Sequence, residues 1–300
     1  MISVIIPVLD RPRHVQNAVA SVLAQTSLDP GELEIVVVDD ASAAPLTLPP
    51  AENVNVVRLA RNRGPAGARN AGVAASRGQF IALLDSDDAW LADKVSDQLE
   101  FFHTACGSDA LTAVVSAFYY RNRWGKLEHR VPHEAGCVSD FVRGCWFSPG
   151  STLFAPRSLF ERVGMFDERL RRLEDLDWFV RLSLLGGRLA VCPRPHALIL
   201  PSRRADRESI VAACQVMECK FESVLNRRDQ RNLGAYLELE RCAGALSDFD
   251  RVGAFAHLVR SFACSPRWRA SLARWSSHRQ IPMEVARHYG QLNPGSCAAA

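Results

Sequence analysis

The chain has 300 residues, of which 48% are hydrophobic and 23% are charged. This balance allows a substantial core to be buried, and it excludes a disordered or fibrous protein. The formal net charge of +3 is too small to indicate nucleic acid as a partner.

Three features of the sequence predict a cytoplasmic location. No uncharged apolar run is long enough to cross a membrane as a helix. A strand-like segment follows Met1 directly, without the basic segment that opens a signal peptide. Nine cysteines form no CxxC pair, and their apolar neighbours predict reduced, mostly buried thiols.

The first part of the chain alternates predicted strands with predicted helices. Short apolar, β-branched runs, typical of buried strands, lie at residues 4–8, 35–38, 54–59 and 80–84. Apolar residues at helical spacing lie at residues 15–23, 68–75 and 95–102. This alternation predicts an α/β fold with a doubly wound, mostly parallel sheet and helices on both faces.

After about residue 200 the strand patterns stop and helical spacing takes over. The residues at helical spacing are Ile210, Cys214, Met217 and Phe221, followed by Tyr236, Leu239, Ala243 and Leu246. We predict a domain boundary near Ser202, with an α/β domain at residues 1–202 and a helical region at residues 203–300. The helical region is expected to contain a hairpin over residues 235–266 and a terminal amphipathic helix.

Acidic residues follow the predicted strands, at the end of a parallel sheet where ligands bind. The strongest signal is Asp85-Ser86-Asp87-Asp88, directly after the fourth strand. Like charges this close repel each other unless a cation such as Mg²⁺ or Mn²⁺ lies among them. The alternative is that Asp87 or Asp88 caps the helix that follows.

Two further acidic pairs are candidates for chemistry. Asp40, in the pair after the second strand, can accept a hydrogen bond from a nucleobase, or the pair can simply form a turn. Glu174 and Asp175 open a predicted helix, where a carboxylate can serve as a general base toward a hydroxyl. Acidic residues are also favoured in a first helical turn, so a structural interpretation of this pair stays open.

Arg69 lies in a glycine- and alanine-rich segment, residues 62–70. This segment matches neither the dinucleotide-binding pattern nor the P-loop pattern. Arg69 can reach the phosphates of a ligand, although an arginine at an alanine-rich helix start is more often solvated.

Together and in this order, the motifs resemble those of the family 2 glycosyltransferases of GT-A fold that build bacterial surface polysaccharides. The resemblance covers about residues 1–185. Its motifs are Ser3-Val4-Ile5-Ile6-Pro7, Val37-Val38-Asp39-Asp40-Ala41-Ser42, Gly67-Ala68-Arg69-Asn70-Ala71-Gly72, Leu84-Asp85-Ser86-Asp87-Asp88, Gly164-Met165-Phe166-Asp167-Glu168 and Glu174-Asp175. The resemblance implies that a sugar moves, with inversion, from a nucleoside-diphosphate sugar, foremost a UDP-sugar, to a hydroxyl of a glycan or lipid-linked acceptor.

The resemblance also implies a role for each matching residue. The residues implied for the sugar nucleotide are Pro7, Leu9, Asp40, Arg69, Asp85 and Asp87. The residues implied for a divalent cofactor, Mn²⁺ or Mg²⁺, are Asp88 and Asp87. Asp175 would be the catalytic base, with Glu174 as the second candidate, and the acceptor region would be Gly150, Ser151 and Thr152.

The sequence departs from the family pattern after the Glu174-Asp175 helix, where many relatives carry a histidine that binds the metal. His196 lies off register there and is either structural or a ligand, while Arg203 or Arg204 can neutralise phosphate. The alternative function is a catalytically inactive sugar-nucleotide-binding scaffold with a partner-recruiting helical tail. The complete set of acidic motifs argues against it.

Trp268 and Trp275 lie among arginines, and residues 261–300 carry five Arg and one Glu. A helix of this kind either lies on an anionic membrane, here its cytoplasmic face, or docks its tryptophans on the domain.

Overall fold

The computed structural model describes residues 1–26, 30–122, 124–201 and 206–265. Within these ranges the strands are β1 (Ile2–Val8), β2 (Leu33–Asp39), β3 (Val54–Arg58), β4 (Phe80–Leu83), β5 (Ala89–Trp90), β6 (Thr112–Arg121), β7 (Leu127–Arg130), β8 (Phe154–Pro156) and β9 (Arg188–Ile199). The helices are α1 (Pro12–Leu23), α2 (Gly64–Ala75), α3 (Lys94–Thr104), α4 (Val138–Phe141), α5 (Pro149–Thr152), α6 (Arg157–Val163), α7 (Glu174–Leu184), α8 (Arg207–Phe221), α9 (Arg227–Ser247) and α10 (Arg251–Cys264).

The strands form one sheet in the order β3-β2-β1-β4-β8-β6-β9-β5, with β7 beside β6. β1 pairs in parallel with β2 and β4, and β2 pairs in parallel with β3. The long ladder between β6 and β9 is also parallel, whereas β8, β5 and β7 join by antiparallel pairing. The predicted α/β fold with a mostly parallel sheet is therefore confirmed.

Alternate residues of the central strands face two separate apolar cores. Ile5 and Val38 belong to the core that also contains the buried residues of α2 and α7. Val4 and Val37 belong to the core that contains the buried residues of α1 and α3. Because both faces of β1 and β2 are covered by helices, these strands appear in the sequence as continuous apolar runs.

One predicted strand differs from the expectation of burial. β3 stands at the end of the strand order, and its residue Val56 is 40% exposed. An edge strand is covered less completely than a central one, so its apolar residues remain partly in contact with solvent.

The described helical region starts with α8 and continues as a hairpin of α9 and α10. The hairpin begins at Arg227, earlier than predicted. The predicted apolar face of α9 is only partly correct: Tyr236 packs against the core, but Leu246 is 49% exposed, and the buried residues of the helix include Leu233, Leu237 and Gly244. α9 packs against both α8 and α10, so its buried surface is not the single apolar stripe that the spacing suggests.

The helical region shares its core with the α/β part. Ile210 and Met217 of α8 and Leu233 of α9 lie in the same apolar cluster as Leu176 and Phe179 of α7. The helical region is thus packed directly against the helix that carries the Glu174-Asp175 pair.

Some predictions fall on residues outside the described ranges. The proposed boundary at Ser202 and the arginines Arg203 and Arg204 lie within residues 202–205. The terminal amphipathic helix, with Trp268 and Trp275, lies within residues 266–300. In the part of the chain that is described, no helix combines the length and the apolar content needed to cross a bilayer.

Candidate active site

The carboxyl ends of β1, β2 and β4 meet at one edge of the sheet. The loops after β1 and β2 are joined there, because the Asp10 N–H donates to Ser42 Oγ at 2.9 Å. Pro7 is partly buried at the end of β1, and Leu9 beside it is 40% exposed. Both residues therefore lie at the open edge where ligands bind in parallel sheets.

The two acidic residues after β2 make different contacts. Asp39 pairs with Arg58 at 2.5 Å and belongs to the turn. The carboxylate oxygens of Asp40 accept the backbone N–H groups of Arg63 and Gly64, at 2.7 and 2.8 Å, at the start of α2. Burial raises the pKa of Asp40. Asp39 therefore stabilises the turn after β2, and Asp40 fixes the start of α2.

Arg69 of α2 is buried, with 5% of its surface exposed, so the solvated alternative for this residue is wrong. One guanidinium nitrogen donates to Glu174 Oε1 at 2.5 Å, and the other donates to Asp85 Oδ1 at 2.7 Å. The charges of Asp85 and Glu174 keep the pKa of Arg69 above its usual value, although burial opposes them. Arg69 therefore joins the loop after β4 to the start of α7.

The loop after β4 holds its carboxylates in different surroundings. The Asp85 side chain is 35% exposed beside Arg69, and Asp87 pairs with Arg11 of the β1–α1 loop at 2.5 Å. The following helix, α3, begins only at Lys94, with β5 before it. Asp87 and Asp88 therefore do not cap a helix, and that alternative is wrong.

Asp88 is the most enclosed of these carboxylates. The Ser151 hydroxyl donates to Asp88 Oδ2 at 2.5 Å, and the Leu200 N–H donates to Oδ1 at 2.8 Å. Burial, together with the charges of Asp85 and Asp87, raises the pKa of Asp88 well above its usual range. A nearby cation would oppose both the burial of the charge and the repulsion from Asp85 and Asp87.

The donor atoms at this loop suit a hard divalent cation, since carboxylate oxygens are the ligands that Mg²⁺ and Mn²⁺ prefer. Over the described ranges, no three His, Cys, Asp or Glu side chains are grouped closely enough to hold a metal alone. Asp87 and Asp88 fit a site in which the protein supplies one or two carboxylates and a diphosphate supplies further oxygens.

The predicted acceptor residues lie directly against the loop after β4. A Cβ at Gly150 would stand 2.2 Å from Asp85 Oδ2, so only glycine leaves room for that carboxylate. Ser151 Oγ accepts the Asp85 N–H at 3.0 Å, and Gln98 Nε2 donates to the Thr152 carbonyl at 2.9 Å. Gly150 and Ser151 thus contact the acidic loop, whereas Thr152 is bonded to α3, and the role of all three toward the acceptor stays a prediction.

The two residues of the Glu174-Asp175 pair point to different partners. Glu174 is buried against Arg69, and burial raises its pKa although Arg69 opposes the shift. Asp175 is only partly buried. Its Oδ1 accepts a hydrogen bond from the Leu176 N–H at 2.7 Å, and its Oδ2 accepts one from the Cys145 thiol at 3.1 Å. Asp175 is therefore the one that lacks a cationic partner within hydrogen-bond distance among the described residues.

His196 lies in β9 and is 3% exposed. Its Nε2 is 3.4 Å from Asp97 Oδ2 and 3.6 Å from Cys192 Sγ. Burial lowers its pKa to about 4, so the ring is neutral near pH 7. These contacts favour the structural interpretation of His196.

Three residues near the site were not singled out from the sequence. Arg11 lies in the loop between β1 and α1, at the ligand-binding edge of the sheet, and this position in the sequence could have indicated it. Cys145 contacts Asp175 across 30 residues, which no local pattern reveals. Lys94 is fully buried, its pKa is lowered to about 7 by burial, and its Nζ donates to Gln98 Oε1 at 2.6 Å. Lys94 thus fixes the side chain of Gln98, which links α3 to α5 through its hydrogen bond to the Thr152 carbonyl.

The comparison with protein families decides the classification. The model of the family described as glycosyl transferase family 2 matches residues 3–165, which is more than half of the chain. The chain belongs to glycosyl transferase family 2. The matched range contains β1, β2 and β4 with their acidic loops, so the motifs in this range agree with the family assignment, whereas the Glu174-Asp175 pair lies beyond it.

Two curated proteins are similar in sequence to this family 2 chain. Succinoglycan biosynthesis protein ExoO of Rhizobium meliloti (strain 1021) is 39% identical over 190 residues, covering 59% of this chain and 54% of that protein. Minor teichoic acid biosynthesis protein GgaA of Bacillus subtilis (strain 168) is 28% identical over 239 residues, covering 75% and 52%. The chain thus spans about half the length of these relatives.

Among solved structures, S. aureus TarS 1-349 in complex with UDP-GlcNAc has a TM-score of 0.62 to the chain. The two are 17% identical, and the match covers 88% of this chain and 81% of the other. At this identity the comparison shows that the family 2 chain shares the fold of TarS.

Proposed function

We propose that the chain is an inverting, metal-dependent glycosyltransferase that moves a sugar from a nucleoside-diphosphate sugar to a hydroxyl of a glycan or lipid-linked acceptor. The observation that carries the proposal is the position of α2. Its start is bound by Asp40, and its Arg69 contacts both Asp85 and Glu174. Three acidic motifs that are distant in the sequence are thus held around one helix. The names of the ExoO and GgaA relatives support a role in surface polysaccharide synthesis.

The donor would lie across the edge formed by β1, β2 and β4. Pro7 and Leu9 would line the nucleoside pocket, and Asp40 would accept a hydrogen bond from the base, since each carboxylate oxygen has a second lone pair. Arg69 would attract the diphosphate. The presence of UDP-GlcNAc in the TarS complex supports a UDP-sugar as the donor.

A divalent ion held by Asp88 and Asp87 would neutralise the charge that develops on the departing diphosphate. The chain itself prepares this position. The Ser151 hydroxyl and the Leu200 N–H hold the Asp88 carboxylate in one orientation. Arg11, now paired with Asp87, can turn toward a phosphate because its side chain is 35% exposed.

Asp175 would act as the general base. Its carboxylate removes the proton of the acceptor hydroxyl while that oxygen attacks the anomeric carbon from the face opposite the diphosphate. A single displacement of this kind inverts the anomeric centre without a covalent sugar intermediate. Glu174 is less suited to the role, because its carboxylate is already paired with Arg69.

The alternative, an inactive scaffold that binds a sugar nucleotide, makes a different prediction. A scaffold binds the donor but forms no product with any acceptor. Product formation with UDP-sugars and a polysaccharide or lipid-linked acceptor, assayed with Mn²⁺, separates the two functions. Absence of turnover together with metal-dependent donor binding would favour the scaffold.

Asp88→Ala is expected to abolish the metal-dependent part of nucleotide binding. The wild-type chain should bind uridine diphosphate more tightly with Mn²⁺ than without it, because Asp88 would hold the ion and the ion would supply positive charge for the phosphates. Calorimetric titration with uridine, guanosine and thymidine diphosphates measures this dependence and identifies the preferred base.

The control for this titration is Asp93→Ala, which removes an exposed carboxylate from the segment before α3. This variant should bind like the wild type. Equal stimulation by Mn²⁺ in the wild type and in Asp88→Ala would contradict the metal assignment.

We further propose that the C-terminal region contacts an anionic membrane surface, where lipid-linked acceptors are presented. Arg251 and Arg260 lie on α10, which also exposes a stripe of large apolar side chains. Val252, Phe255 and Phe262 of this stripe are 82%, 67% and 58% exposed. The five arginines of residues 261–300 add positive charge. Apolar and cationic groups together suit an anionic bilayer.

Deletion of residues 265–300 is expected to reduce sedimentation of the protein with phosphatidylglycerol vesicles. Vesicles of phosphatidylcholine serve as the uncharged control, and thermal unfolding checks that the shortened chain is folded. If the folded, shortened chain still sediments with the anionic vesicles to the same extent, the membrane contact through this segment is wrong.

A further inference from the structure

Helix α9 contacts the segment that carries the candidate base. Arg172 lies just before α7, and its Nε donates to Glu240 Oε2 at 2.8 Å. Glu240 is 8% exposed, and its other oxygen accepts the Tyr236 hydroxyl at 2.5 Å. The charge of Glu240 holds the pKa of Arg172 above its usual value, although burial opposes this. A buried, fully bonded carboxylate of α9 therefore anchors the chain next to Asp175.

The same helix reaches Asp175 by a second route. The Tyr236 ring lies against Gly144, where an added Cβ would stand 2.5 Å from Tyr236 Cε2. Gly144 has a φ of 122°, which glycine adopts readily. The next residue is Cys145, and its thiol donates to Asp175 Oδ2 at 3.1 Å. Tyr236 thus fixes the backbone that presents this thiol to Asp175.

The backbone before α7 needs such support. Leu173, between Arg172 and Glu174, has a φ of 66°. Leucine rarely adopts this left-handed conformation, which persists only where surrounding contacts enforce it. The Arg172–Glu240 ion pair, directly beside Leu173, supplies one of those contacts.

We propose that Glu240 and Tyr236 of α9 are positioning residues for Asp175, so that the helical region completes the catalytic site. The inference rests on the proposed function of Asp175 as the base. Glu240 holds the backbone through Arg172, and Tyr236 holds the Cys145 segment against the opposite side of the carboxylate. Both residues act through others, Glu240 through Arg172 and Tyr236 through Gly144.

Glu240→Gln should lower kcat roughly tenfold and leave the KM for the sugar nucleotide within about twofold, because a displaced base acts on the chemical step. The matched control is Glu218→Gln. It breaks the Arg241–Glu218 pair of 2.7 Å between α8 and α9, away from α7, and should keep full kcat. A wild-type kcat in Glu240→Gln, or an equal fall in both variants, would overturn the proposal.

A second readout does not depend on transferase activity. Alkylation of Cys145 by iodoacetamide, followed by peptide mass spectrometry, should be several-fold faster in Glu240→Gln and in Tyr236→Leu, which removes the ring beside Gly144, than in the wild type. The exposed thiols of Cys137 and Cys219 provide internal references in each sample. Unchanged Cys145 alkylation in both folded variants would overturn the proposal.

The two readouts separate this proposal from the proposed function. If the wild type transfers no sugar, the proposed function fails, and the alkylation rates alone decide the positioning role. If Glu240→Gln does not fold, Tyr236→Leu carries both measurements, because it removes the ring beside Gly144 and leaves the Arg172–Glu240 pair in place.

Discussion

Asp175→Asn is expected to reduce turnover by roughly 10² to 10⁴, with the affinity for the sugar nucleotide nearly unchanged. The amide cannot take up the proton of the acceptor hydroxyl, and a general base acts mainly in the transition state. Steady-state kinetics give kcat, and calorimetric titration of uridine diphosphate with Mn²⁺ gives the donor affinity.

The variant should remain folded, because the amide oxygen of asparagine can still accept the Leu176 N–H that Asp175 accepts at 2.7 Å. Asp109→Asn, at a carboxylate 48% exposed before β6, is the control and should retain full activity. Wild-type turnover in Asp175→Asn would remove this residue from the role of base.

The Glu174-Asp175 pair illustrates how neighbouring carboxylates acquire different chemistry. Glu174 is paired with Arg69 inside the protein, whereas Asp175 is partly exposed and accepts only neutral donors among the described residues. A base must be free to accept a proton, so the paired carboxylate is the poorer candidate. The sequence ranks the two only through the family resemblance. The structure supplies a physical reason for the same order.

The parallel half of the fold is predictable because its signals are local. β1 and β2 are continuous apolar runs, and α1 carries its apolar residues at helical spacing. Each pattern reflects burial on both faces of a strand or on one face of a helix. Parallel order then places the residues after each strand at one edge of the sheet, which is where Asp40 and Asp85 lie.

The antiparallel additions to the sheet are not visible in the same way. β8 has three residues and β5 has two, too short for a periodic pattern. Both are defined by distant partners, since Phe154 pairs with Val114 and Ala89 pairs with Leu198. Pairings of this kind depend on the complete fold rather than on the local sequence.

Arg69 shows the same limit in the site. Its local setting, a glycine- and alanine-rich helix start, suggests a solvated side chain. Its partner Glu174 is 105 residues away, and burial follows only when α7 and the loop after β4 meet over α2. The small residues around Arg69 are the usable signal in retrospect, because Gly72 packs so closely on β1 that a Cβ would stand 2.3 Å from Ile5 Cγ2.

Arg69→Met is expected to destabilise the fold by about 3–5 kcal/mol, the usual cost of removing one partner from a buried ion pair. Glu174 is 7% exposed and would be left without its cation, whereas Asp85 is more exposed and can be hydrated. Urea unfolding at pH 7.5 measures the loss. Arg13→Met is the control, because the Arg13 side chain is exposed on α1. It should change stability by less than about 0.5 kcal/mol.

The stability that Arg69→Met loses should depend on pH, and the ionisation of Glu174 determines the direction of that dependence. Burial already raises the pKa of Glu174 above its usual value of 4.5, and removal of Arg69 raises it further. A carboxyl with a raised folded pKa lowers the free energy of unfolding as pH rises from its unfolded pKa to its folded pKa, because the unfolded chain loses its proton first; above the folded pKa the loss is constant. The difference from wild type should therefore be smaller at about pH 5 than at about pH 7.5, and Glu174→Gln in the same chain should restore part of the stability. A deficit that is independent of pH and unaffected by Glu174→Gln would show that Arg69 stabilises the protein by packing rather than by pairing with this carboxylate.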